Sequence, residues 1–68
     1  MDNIDIGDVI EAVLAWHDDE GKKKRFDPDF IFSVSDHYKS YGKVTEKQEN
    51  AIYAIIDRWH IDVEKYLD

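Results

Sequence analysis

A chain of 68 residues with 16 acidic against 9 basic side chains, net charge −7, has room for one small domain and argues against generic nucleic-acid binding through bulk charge. That balance is compatible with a basic protein surface as partner. The absence of cysteine excludes a disulfide framework and a thiolate zinc site, and no apolar run approaches the length of a bilayer span.

Ile4, Ile6, Val9, Ile10, Val13, Leu14 and Trp16 recur near helical spacing with acids between them, which predicts a first helix over residues 5–20. Asp5 or Asp8 is expected to cap it, Gly7 to weaken its first turn and Gly21 to stop it. Asp18, Asp19 and Glu20 sit at the negative end of the helix dipole and predict fraying there. Residues 1–20 contain Asp2, Asp5, Asp8, Glu11 and those three acids, with no Lys or Arg. Lys22, Lys23, Lys24 and Arg25 then follow without a break, a local change of sign that the average hides.

Asp27 followed by Pro28 reads as an N-cap with proline at the first helical position, opening a second helix over residues 28–41 that Gly42 closes. Phe30, Val34, His37, Tyr38 and Tyr41 form its apolar face. Phe26 and Ile31 are placed to form a hydrophobic staple. Phe32 falls off the stripe and is expected either against the first helix or exposed. Thr45 and Gln48 have capping-box spacing and open a third helix over residues 46–59. Ala51, Ile52, Ile55, Ile56 and Trp59 form its core face, widened by Tyr53 and Ala54. Asp62 caps a possible short fourth helix over residues 62–67, with Ile61 and Tyr66 as a second staple and Val63 and Leu67 closing over the core. No period-two alternation supports strands. The expected fold is all-α, a single compact three-helix domain with the second and third helices as an antiparallel hairpin and the first packed across it.

Two basic groups are candidate phosphate contacts. Lys22, Lys23, Lys24 and Arg25 give a local electrostatic footprint, or else a solvated connector offsetting the acids before it. Lys39, Lys43 and Lys47 surround the turn at Gly42, beside a helix start whose N–H groups can hold an anion, although Thr45 and Gln48 compete for them. A straight second helix separates the two groups by about 20 Å, so they would touch different parts of a nucleic acid. His17, His37 and His60 show no close-spaced ligand pattern. His17 with Asp18, Asp19 and Glu20 reads as a solvated helix end before it reads as a metal site, and His37 as a hydrogen-bonded core histidine. Ser33 and His37 can meet one turn apart, but no orienting acid or oxyanion hole accompanies them. No catalytic residue, metal or cofactor is expected, and the chain is not expected to be an enzyme. Tyr53 and Phe32 are the candidate partner-binding aromatics.

Phe30-Ile31-Phe32-Ser33-Val34, then Gly42-Lys43-Val44-Thr45-Glu46-Lys47-Gln48, then Ala51-Ile52 and Ile55, resembles a short module of phage and bacterial proteins of DNA metabolism. In length and helical plan the whole chain resembles the small companion proteins encoded beside the UvsW helicase of T-even phages. The resemblance implies a non-enzymatic accessory of recombination and replication-repair, contacting a helicase, branched DNA or single-stranded DNA. A monomer is expected, in the cytoplasm, which the absence of cysteine fits and which is the host cell's if the chain is phage-encoded; no secretory leader is expected. His37 stands where the module has Gln, and the acidic first helix departs from a DNA-binding plan. The acids of that helix motivate an alternative, an acidic inhibitor or DNA mimic that occupies a host nucleic-acid-binding protein. A third reading, a structural module of a larger complex, predicts an exposed apolar patch.

Overall fold

In the computed structural model, residues 5–67 are described, and the expectations for Asp2 and Ile4 fall outside them. The acid-spaced apolar residues of the first third form α1 (Ile6–Asp19), followed by a 3₁₀ turn (Gly21–Lys24). The capped segments form α2 (Asp29–Tyr41) and α3 (Glu46–Trp59), and a second 3₁₀ turn (Val63–Tyr66) closes the chain. The fold is the expected all-α three-helix domain, and no described helix is long and apolar enough to cross a membrane. The short fourth element is a 3₁₀ turn, not an α-helix. Val63 and Tyr66 pack on the core while Leu67 stays half-buried outside it.

The hairpin expected of α2 and α3 is not the organising unit. The close approaches between elements run mainly through α1, which meets α2, α3 and both 3₁₀ turns. The reason lies in the width of each apolar arc. α1 buries Val9, Ile10, Ala12, Val13 and Trp16, whereas α2 buries Ile31, Val34 and Ser35 and α3 only Ile52. A helix with so broad a buried arc must be covered on several sides. At about 1.5–3 kcal/mol for each large aliphatic side chain removed from water, covering it dominates the fold.

Gly7 lets α2 approach α1. A Cβ there would stand 2.7 Å from the Tyr38 hydroxyl and 2.8 Å from its ring. Asp5 occupies the N-cap position but makes no side-chain cap; its carboxylate accepts a hydrogen bond from the Tyr38 hydroxyl at 3.0 Å. The other end of α1 is pinned rather than frayed. The Glu20 N–H donates to the Trp16 carbonyl at 2.7 Å, and Lys22 pairs with Asp18 at 3.0 Å. The Tyr66 hydroxyl donates to Asp19 Oδ2 at 2.8 Å, with Glu20 Oε2 at 3.2 Å as its second acceptor.

Gly21 does not stop α1 through a left-handed conformation, since Gly42 is the only glycine with positive φ. It is buried, and a Cβ there would lie 3.0 Å from the Trp16 ring and 3.2 Å from His17 Nδ1. The chain reverses four residues later at Arg25, with φ 59°. Phe26 is thereby brought edge-on to Trp16 (5.2 Å) and Trp59 (5.4 Å), which ties α1, the connector and α3 together.

Asp27 Oδ1 accepts from the Asp29 N–H at 3.0 Å, but α2 begins at Asp29 with Pro28 in the N-cap position, so the bond is a local turn just before the helix and not the expected cap with proline as the first helical residue. The buried stripe of α2 is Ile31, Val34 and Ser35 with half-buried Tyr38, not the stripe through Phe30 and Tyr41; those two are exposed. Phe26 and Ile31 are both in the core, consistent with a staple that sets the entry angle and turns the helix toward Ile31. α3 ends with His60 left-handed at φ 52°, its N–H donating to the Asp57 carbonyl while the Ile61 N–H donates to that of Ile56. That is a Schellman ending with histidine in the usual place of glycine.

Two predictions follow from the ends of α1. Gly→Ala inside a helix ordinarily adds about 1 kcal/mol. Gly7→Ala should instead destabilise, and should recover the ordinary gain once Tyr38 is also replaced by Ala; urea melts of the four proteins check this, and additivity contradicts it. The hydrogen bond to Asp5 holds the Tyr38 phenol above its ordinary pKa, and the bond to Asp19 raises that of Tyr66 further. The folded chain therefore releases these protons less readily than the unfolded one. Their stabilisation is present below about pH 10 and fades as pH rises beyond it. Tyr38→Phe/Tyr66→Phe should flatten that alkaline loss in thermal melts, and an unchanged slope contradicts the assignment.

Candidate functional site

The turn between α2 and α3 is fixed by local hydrogen bonds. Gly42 adopts φ 75°, and its N–H donates to the Tyr38 carbonyl at 2.7 Å. The capping box forms in both directions: the Gln48 N–H donates to Thr45 Oγ1 at 3.1 Å and the Thr45 N–H to Gln48 Oε1 at 2.9 Å. His37 Nδ1 lies 3.0 Å from the Lys43 carbonyl; a carbonyl only accepts, so Nδ1 carries the proton. His37 is thus hydrogen-bonded as expected, but half-buried at the turn and not in the core. Val44 anchors the turn by packing on the core.

This frame presents Lys39, Lys43 and Lys47, all exposed and, among the described residues, in no ion pair. Tyr41 is 69% exposed, and its ring lies 4.6 Å from that of His37. His37, Tyr41, Lys43, Val44 and Thr45 line a shallow groove of about 340 Å³ with no carboxylate in its wall. Tyr41 was missed as a surface residue because helical spacing places it in line with Tyr38. Tyr38 already meets Gly7 in the first turn of α1, and Tyr41 lies a turn farther along. Its position directly before the terminating Gly42 was the available signal.

The other basic group is different. Lys22 pairs with Asp18 at 3.0 Å, and Lys24 approaches Glu20 at 3.9 Å and the Trp16 ring at 6.0 Å. Lys23 and Arg25 are exposed without an ion pair among the described residues. They lie before α2, while Lys39, Lys43 and Lys47 flank its end, so the structure does not bring the two groups together. Asp18, Asp19 and Glu20 are engaged by Lys22, Lys24, Lys65 and Tyr66. His17 turns inward between Phe26 and Phe32, its Nδ1 buried without a hydrogen-bond partner among the described residues.

Phe32 and Tyr53 are 52% and 47% exposed, on α2 and α3 respectively. Phe32 both sits edge-on to His17 at 6.1 Å and remains open to solvent. A second shallow groove of about 260 Å³ between α1 and α2 is lined by Asp5, Asp8 and Glu11 with Lys39 and Tyr38. No group of three potential metal ligands converges among the described residues.

Compared with known proteins, the chain matches no protein-family model, no curated protein and no solved structure.

Because the turn is held by its caps, Thr45→Ala should cost about 1 kcal/mol of stability in urea melts while Thr45→Ser stays within a few tenths. Equal stability of Thr45→Ala and the parent would mean that the turn is held by other contacts.

Proposed function

We propose that the chain is a non-enzymatic accessory of phage DNA recombination and replication-repair, acting as a monomer. It contacts a helicase, or the branched or single-stranded DNA on which that helicase works, through the α2–α3 turn. The observation that carries this reading is the contrast between the two basic groups: Lys39, Lys43 and Lys47 form no ion pair among the described residues, and only Lys39 borders a groove that acids line, while Lys22 and Lys24 are already compensated. A cation without an internal partner is available to a phosphate or an acidic side chain at no cost in lost ion pairs. The resemblance of residues 42–48 to a module of DNA-metabolism proteins supports the same surface. Lys23 and Arg25, exposed without an ion pair among the described residues, and the aromatic area of Tyr53 and Phe32 are open to a protein partner.

The alternative of a DNA mimic keeps only part of its acidic face: Asp18, Asp19 and Glu20 are occupied within the chain, while Asp8 and Glu11 are exposed with no ion pair among the described residues. The test combines a low-salt anisotropy titration against forked DNA with co-purification on a tagged phage helicase. The expected outcome is association with at least one of them, weakened about tenfold or more by Lys39→Gln/Lys43→Gln/Lys47→Gln and far less by Lys22→Gln/Lys24→Gln. Failure to bind either, or indifference to the turn lysines, rejects the proposal.

A further inference from the structure

We infer that the groove beside the turn takes one unpaired base of a single-stranded DNA, stacked on Tyr41, with a flanking phosphate against Lys43. This rests on the accessory reading above and adds to it the form of DNA and the residue that grips it. Tyr41 is the most exposed of the large hydrophobic side chains among the described residues, at 69%. Its ring is backed by His37 at a centroid distance of 4.6 Å, and His37 is itself held by its hydrogen bond to the Lys43 carbonyl. An aromatic face whose neighbour is already fixed loses little freedom on stacking.

The wall of the groove combines that ring with the apolar Val44, the Thr45 side chain and the Lys43 ammonium. An aromatic platform beside a cation is the combination that single strands use, the base on the ring and the backbone on the charge. About 340 Å³ is at the small end of ligand sites and suits one base rather than a helical surface. Bases in a duplex are stacked on each other and cannot lie on a side chain without being unpaired. The net charge of −7 repels DNA at long range, so contact is confined to the turn, where Lys43 lines the groove and Lys39 and Lys47 lie four residues before and after it in the chain. Few phosphates are then neutralised. With about −0.7 in log K against log salt for each phosphate on a single strand, three lysines give a slope no steeper than about −2.

The experiment is an anisotropy titration of the full chain against labelled oligo(dT), a blunt duplex of equal length and oligo(rU), at several salt concentrations. Oligo(dT) should bind more tightly than the other two. Tyr41→Ala should weaken it about 5- to 100-fold while Tyr41→Phe binds like the parent, and Lys43→Gln should make the salt slope shallower by about 0.7. Tyr41 is exposed, so circular dichroism of Tyr41→Ala should match the parent. Duplex binding equal to oligo(dT), or Tyr41→Ala without effect while Lys43→Gln weakens binding, overturns the base-stacking site and leaves the basic-turn reading intact. Equal or tighter binding of oligo(rU) overturns the assignment to DNA. No binding to any oligonucleotide overturns the site as well. Helicase capture lost in Lys39→Gln/Lys43→Gln/Lys47→Gln would then assign the turn to a protein partner, and absence of capture as well would remove the accessory reading too.

Discussion

The broad buried arc of α1 is what the rest of the molecule is arranged to cover, and two phenol–carboxylate hydrogen bonds sit at the two ends of that helix. Tyr38 reaches Asp5 from a position 33 residues on, and Tyr66 reaches Asp19 from one 47 residues on. Each bond joins an end of α1 to an element that packs against it. Between them lie Val9, Ile10, Val13 and Trp16, the longest continuous part of the core. Hydrogen bonds to charged groups are among the stronger ones, but these two act mainly by position: they register α2 and the closing turn on α1.

That arrangement also decides which charges remain for a partner. The acids at the end of α1 are taken up by Tyr66 and by Lys22, Lys24 and Lys65. Exposed pairs of this kind contribute little to stability, yet they neutralise much of the most conspicuous basic run in the sequence. Lys39, Lys43 and Lys47 are more widely spaced along the chain and form the less obvious group. They gain importance because α2 ends and α3 begins between them, and the groove that Lys43 lines has none of its named wall residues acidic.

What could be read from the sequence was local. Asp27, Gly42 and the Thr45–Gln48 pair act through hydrogen bonds within a few residues, so spacing alone revealed them. The lysines of the turn were legible for the same reason. Contacts set by distant residues were not. Gly7 looked like a weak helix start because nothing nearby shows that Tyr38 lies over it, and Gly21 looked like a helix stop because its neighbour Trp16 is a turn behind it. Arginine is not a type that favours the left-handed conformation, and histidine adopts it far less often than glycine does, so the connector and the end of α3 carry little local signal. The face of α2 was misjudged because Phe30 and Tyr41 fit a stripe as well as Ile31 and Ser35 do. Which set is buried depends on how α2 sits against α1.

On the function proposed above, the α2–α3 turn, and not the run at residues 22–25, is the surface this chain offers to DNA. The most direct measurement is a ¹⁵N–¹H correlation spectrum of the full chain recorded during titration with unlabelled oligo(dT). The account predicts that amide shifts concentrate at residues 37–48 while those of residues 18–25 stay in place. Shifts centred on residues 22–25, or spread along α1 with the turn unmoved, would contradict it.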